Sequence, residues 1–85
     1  LRLTSEQIEL MAEVEHNRWN MEKLLLGYSK PTPEEEEKCK DNAVRKEYKT
    51  KRFVHTDIRP YYQLDEGTKE YDRCISECLP LIAEQ

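Results

Sequence analysis

His16, Trp19 and Lys23 fall at i, i+3 and i+7, a spacing that places them on one stripe of a helix. An indole face beside an ammonium and an imidazole can stack a base and hold a phosphate. His55, Asp57 and Arg59 alternate in a second segment, just before Pro60 and Tyr61. Binding groups gather in such irregular segments. Arg73 can reach a bound phosphate, or it can pair with Glu15 or Glu22. Each of these residues also has a structural reading. Trp19 suits the core, His16 a hydrogen-bonded edge, and Lys23 a site where its stem is covered and its ammonium is wet. His55 and Asp57 can satisfy backbone groups and shape the turn, while Pro60 and Tyr61 anchor the loop to the core. Arg18 lies between Glu15 and Glu22 at helical spacing, so it can complete an ion-pair ladder or line a polar pocket.

Catalysis requires a nucleophile or an acid–base pair with a positioned partner. No spacing here joins His16 or His55 to a cysteine in that way, so the chain is expected not to be an enzyme. Zinc requires four ligands, and only the two histidines could complete a set with Cys39, Cys74 and Cys78. The expectation is three buried, reduced thiols, with no metal and no cofactor. An odd cysteine count also argues against a disulfide framework, which points to a reducing, cytoplasmic compartment.

The elements that must position these groups are helical. Thr4 and Gln7 form a capping box, with Leu3 and Ile8 at the staple positions, and Gly27 supplies the left-handed residue that stops the helix near Leu26. Ile8, Met11, Val14, Met21 and Leu25 lie at the middle of a wide apolar arc, which implies contact on more than one side. Thr32, Pro33 and the acids behind them restart a helix that is expected to run to about Lys46. Residues 47–54 read as a mobile or partly extended connection, and residues 55–64 as irregular. Asp65 caps the last helix, which buries Tyr71, Ile75, Cys78 and Ile82. Pro80 breaks or kinks it, leaving residues 81–85 for a separate turn.

Eighty-five residues bound the chain to one domain with a thin core. Leu1 at the start suggests a piece excised from a longer protein. The net charge of −4 disfavours general nucleic-acid binding. The absence of an apolar run of about 20 residues disfavours a membrane span.

Two segments carry a resemblance. One is His16-Asn17-Arg18-Trp19 through Lys23 to Gly27-Tyr28. The other is His55 through Ile58, Pro60-Tyr61 and Leu64 to Lys69 and Asp72-Arg73. In this order they resemble the repeat domain named after ryanodine receptors, over most of the chain. The loop between them is longer here and carries the acidic residues 33–46. A single copy of a repeat that occurs in tandem in the channels implies a homodimer or a partner domain elsewhere in the parent chain. Prokaryotic members resembling this one are fused to cytosolic modules, some of which are thought to sense nucleotide-derived ligands.

These readings combine into a mainly α fold: three main helices, an irregular loop, and room for short extended segments at 50–54 and 56–59. Residues 1–85 form one repeat-like domain. The first functional expectation is a cytoplasmic ligand-sensing or interaction module. It would recognise a nucleotide-derived anion through His16, Arg18, Trp19, Lys23, His55, Asp57, Arg59, Tyr61 and Arg73. The alternative is a structural module that dimerises through the apolar arc of the first helix. The two differ in whether the basic groups converge on a cavity or pair off with acids.

Overall fold

The computed structural model describes residues 2–83. The chain is mainly α-helical, with helices α1 (Ser5–Leu25), α2 (Pro33–Lys38), α3 (Asn42–Lys51) and α4 (Glu66–Ala83), plus a 3-10 turn at Tyr61–Gln63. Two compact units divide it: Leu1–Trp19 with Pro60–Gln85, and Asn20–Arg59.

The ends of α1 follow from local chemistry. The Thr4 N–H donates to Gln7 Oε1 at 2.8 Å, and the Gln7 N–H donates to Thr4 Oγ1 at 3.1 Å. At the other end Gly27 adopts φ +94. The Tyr28 N–H then reaches the Lys23 carbonyl at 3.0 Å and the Gly27 N–H reaches Leu24 at 3.1 Å, which satisfies carbonyls the helix leaves open.

In the first unit the apolar core is Ala12, Tyr61 and Leu64. The expected burial pattern is met only in part: Ile8 and Met11 are half-buried, and the rest of the arc is not covered. On α1 the buried residues are Ala12 and His16, whereas Leu10, Val14, Met21, Leu24 and Leu25 are exposed, as is Leu26 just beyond it. On α4 Asp72 and Ser76 are buried, whereas Tyr71, Ile75 and Cys78 are exposed. The small or polar face of each helix permits close packing. Ile82 lies outside the residues whose side chains are described. Pro80 does not end α4: the helix continues to Ala83, because a proline removes one helical hydrogen bond without forbidding the turns on either side.

In the second unit Thr32 and Glu35 form the expected capping box. The single helix expected over residues 33–46 is two. Asp41 turns its carboxylate onto the N–H groups of Ala43 and Val44, at 2.9 and 3.1 Å, and so starts α3 afresh. Residues expected to be a loose connection are therefore helical through Lys51, and Tyr48 packs with Cys39 and Val54 in this unit's core. The chain leaves α3 through Phe53 at φ 55, in the left-handed region. Among the described residues there are no strands; one isolated parallel bridge joins Ser29 to Val54. The extended pair expected at 50–54 and 56–59 is absent because residues 50–51 finish α3 and residues 56–59 fold into tight turns.

Candidate functional site

The nine candidate residues divide between the two units. His16, Arg18, Trp19, Tyr61 and Arg73 belong to the first, and Lys23, His55, Asp57 and Arg59 to the second.

In the first unit the imidazole and the two guanidinium groups meet acids. His16 is not an edge residue: it is 3% exposed, with Nδ1 3.4 Å from Asp72 Oδ2. Ala12, one turn before it, leaves room for α4 to approach closely enough for that contact. Trp19 is half-buried and stacks on the imidazole, with ring centroids 5.4 Å apart and planes 19° apart. Arg18 grips the Glu15 carboxylate through Nε at 3.0 and 3.1 Å and Nη2 at 2.8 Å. Its side chain is more than half exposed, so this pair belongs to the surface and not to a buried ladder. Arg73 pairs with neither Glu15 nor Glu22 but with Glu9, with Glu66 at 2.9 Å and with Glu70 at 3.4 Å. The hydrogen bonds from Arg73 hold the Glu9 and Glu66 carboxyls below their usual range. Tyr61 is buried and donates its hydroxyl to Glu9 Oε2 at 3.1 Å; burial, then this bond, raises its pKa.

A shallow depression of about 210 Å³ lies on this unit, lined by Gly67, Glu70, Tyr71 and Cys74. None of the nine candidates lines it. Its thiol is a poor nucleophile, because desolvation and the neighbouring Glu70 raise the Cys74 pKa. Cys74 and Cys78 are exposed, contrary to the expected buried thiols; only Cys39 is buried. Among the described residues no group of three His, Cys, Asp or Glu side chains could hold a metal ion, and no helix is long and apolar enough to cross a membrane.

The second unit is arranged differently. Arg59 bonds the Thr56 carbonyl through Nε at 2.7 Å and Glu36 through Nη2 at 2.7 Å, so it staples the loop to α2. The Asp57 N–H donates to His55 Nδ1 at 3.1 Å, a turn-shaping role. His55 is half-buried. Desolvation lowers its pKa most; Asp57 opposes this, and the charges of Lys49, Lys23 and Arg45 lower it further. The Lys23 ammonium lies 5.2 Å from the centroid of the Tyr28 ring, and the His55 ring lies 6.3 Å from it. Asn20 donates from Nδ2 to the Arg59 carbonyl at 3.1 Å, while its Oδ1 is buried without a hydrogen-bond partner. The sequence is rich in Lys and Arg from Arg45 to Arg59, a run that holds Arg45 and Lys49, but the helix expected there ends at about Lys46, so their placement near His55 depended on α3 running on to Lys51.

No known family's model, no curated protein and no solved structure matches this chain.

Proposed function

We propose that this chain is a non-enzymatic, cytoplasmic interaction module of the ryanodine-receptor-repeat type, which associates through the exposed face of α1. The observation that carries this reading is the row Leu10, Val14, Met21 and Leu24, exposed along one helix whose opposite face holds Ala12 and His16. Single exposed leucines are ordinary on a soluble domain, but a row of large apolar side chains marks a contact surface. The contacts of Arg18 with Glu15, of His16 with Asp72 and of Arg73 with three glutamates support the same reading, since these side chains serve the structure.

The experiment compares the chain with a Val14→Lys/Met21→Lys variant by binding of an apolar fluorescent dye and by sedimentation. The reading expects either self-association or dye binding in the parent, lost in the variant without loss of helicity. Equal behaviour of the two proteins would remove it.

A second reading has its own observation. Three cations, Lys23, Lys49 and Arg45, act on the His55 imidazole beside the Tyr28 ring. That concentration of positive charge with an aromatic face suits a nucleotide-derived anion. A thermal-shift screen against nucleotides and cyclic nucleotides tests it. A ligand at one hundred times its dissociation constant adds about 2.7 kcal/mol, and Lys23→Ala should abolish the shift. A flat screen leaves the association reading alone.

A further inference from the structure

The total charge of −4 hides a segregated face. From Asn42 to Arg52 the sequence holds five cations, Arg45, Lys46, Lys49, Lys51 and Arg52, and one acid, Glu47. At about 100° per residue, Arg45, Lys46, Lys49 and Arg52 share an arc of about 120° along α3, and all four are exposed. Glu47 and Lys51 fall outside that arc. Val44 and Tyr48 lie clear of it and pack with Cys39 and Val54. Elsewhere in this unit cations meet acids: Arg59 pairs with Glu36, and Lys40 with Glu37. Among the described residues no salt bridge joins any of the four to an acid. Arg45 Nη2 donates to the neutral Asn42 Oδ1 at 3.0 Å, and the Arg52 guanidinium lies 4.4 Å from the centroid of the Tyr48 ring. These contacts orient the two guanidinium groups without cancelling their charge. The helix dipole favours Lys49 and Lys51 in the last turn, but it gives no reason for Arg45 and Lys46 nearer the start. We infer that this basic face of α3 docks a carboxylate-rich segment of a partner protein.

Phe53 supplies a second observation. It directly follows Arg52, is 47% exposed and holds φ 55, a backbone conformation costly for a residue with a Cβ. Its ring meets the edge of Tyr28 at 5.1 Å, which fixes an aromatic surface at the end of the basic face. An aromatic anchor beside charges suits a protein segment, with acids for the cations and one apolar side chain for the ring. A lipid surface takes an apolar stripe beside the cations, and here Val44 and Tyr48 are turned into the core. A nucleic-acid strand fits less well. The helix has ten residues, a length of about 15 Å. Glu35 and Arg45 both act on the buried Cys39 thiol, which brings the acids of α2 beside the start of the face. A long polyphosphate following α3 would meet those carboxylates, whereas a short acidic segment ends before them. The face uses none of the residues in the α1 row, so the inference goes beyond the association reading and stands without it.

The test is fluorescence anisotropy of a labelled oligoglutamate peptide with one central leucine, titrated with the whole chain at low ionic strength. The expected result is saturable binding that weakens as salt is added. Arg45→Glu/Lys49→Glu should weaken it by at least about 10-fold, since an exposed ion pair is worth up to about 5-fold and reversal adds repulsion. Circular dichroism checks that helicity is kept. Arg45→Gln/Lys49→Gln removes the charge without reversing it, should weaken binding by about 5-fold, and serves if the reversed variant unfolds. Lys30→Glu/Lys38→Glu, an equal charge change off the face, should leave binding within about 2-fold. Phe53→Gly suits the left-handed backbone, so it should keep the fold while weakening binding by about 5-fold or more. Absence of saturable binding overturns the inference. So does binding that Arg45→Gln/Lys49→Gln leaves unchanged, or that Lys30→Glu/Lys38→Glu weakens equally, since that is attraction to bulk charge. Tighter binding of oligothymidylate or of phosphatidylserine vesicles than of the peptide overturns the protein partner. Arg45 and Lys49 also serve the nucleotide reading above, and the two screens separate them. A nucleotide shift without peptide binding removes this inference and keeps that reading; peptide binding with a flat nucleotide screen does the reverse.

Discussion

Truncating Tyr61 to alanine should come close to unfolding the first unit. Tyr61 is 5% exposed and, among the described residues, forms the apolar core there with Ala12 and Leu64. Its ring lies 6.4 Å from the His16 ring, and the Lys69 ammonium lies 5.4 Å from its centroid. Deleting a buried aromatic ring costs about 3–5 kcal/mol, part lost transfer energy and part cavity. At about 0.05–0.15 kcal/mol per residue, a chain of 85 residues has about 4–13 kcal/mol in total. The substitution therefore removes a large part of the stability. Urea unfolding measures it, with the single Trp19 as reporter, since that indole stacks on His16 within the same unit. With a slope of about 1 kcal/mol per molar urea, the midpoint should fall by about 3 M or the variant should be unfolded in buffer. Tyr61→Phe keeps the ring and should retain most of the stability. A Tyr61→Ala variant that loses less than about 1 kcal/mol would refute the reasoning. It would mean that the buried ring is not what holds the loop after Pro60 against α1 and α4.

Gly27→Ala should cost about 1–2 kcal/mol, because φ +94 is closed to a residue with a Cβ although space around the site is open. The melting temperature should drop by about 4–8 °C per kcal/mol lost, and an unchanged melt would contradict the left-handed helix end. His55 gives a pH dependence. Burial holds its pKa below the ordinary 6.5, so as pH falls through 6.5 the unfolded chain takes a proton that the folded chain refuses. Its contribution to stability is complete above pH 6.5 and is lost as the pH falls toward the folded value. His55→Gln should flatten that slope, and parallel pH profiles for the two proteins would exclude it.

The helix ends were legible because each is a local event. Thr4 with Gln7, Thr32 with Glu35, Asp65 with Thr68 and the glycine at 27 all act on neighbours within a few residues. Their chemistry is complete within the segment that carries it. The division of residues 33–51 into α2 and α3 was also written locally, in Asp41, but a glutamate run continuing into lysines masks a helix start. The end of α3 carried no such mark. It closes on Phe53, whose backbone takes a conformation suited to glycine while its ring meets the edge of Tyr28 at 5.1 Å. A distant side chain sets that turn.

The candidate site was legible as residue types and not as an assembly. The histidines, the arginines and the tryptophan stood out, yet the same types serve a ligand or an ion pair. Whether Arg73 meets a phosphate or Glu9 depends on where α4 lies against α1. The same holds for the apolar arc. Periodicity places Val14 and Met21 on a face, but it cannot say which face the fold covers, since both sides of α1 carry apolar residues. Burial is a property of pairs of elements distant in sequence. Ala12 and Ser76 leave the space in which α1 and α4 close around His16 and Asp72, and with that face covered Leu10 and Val14 stay exposed.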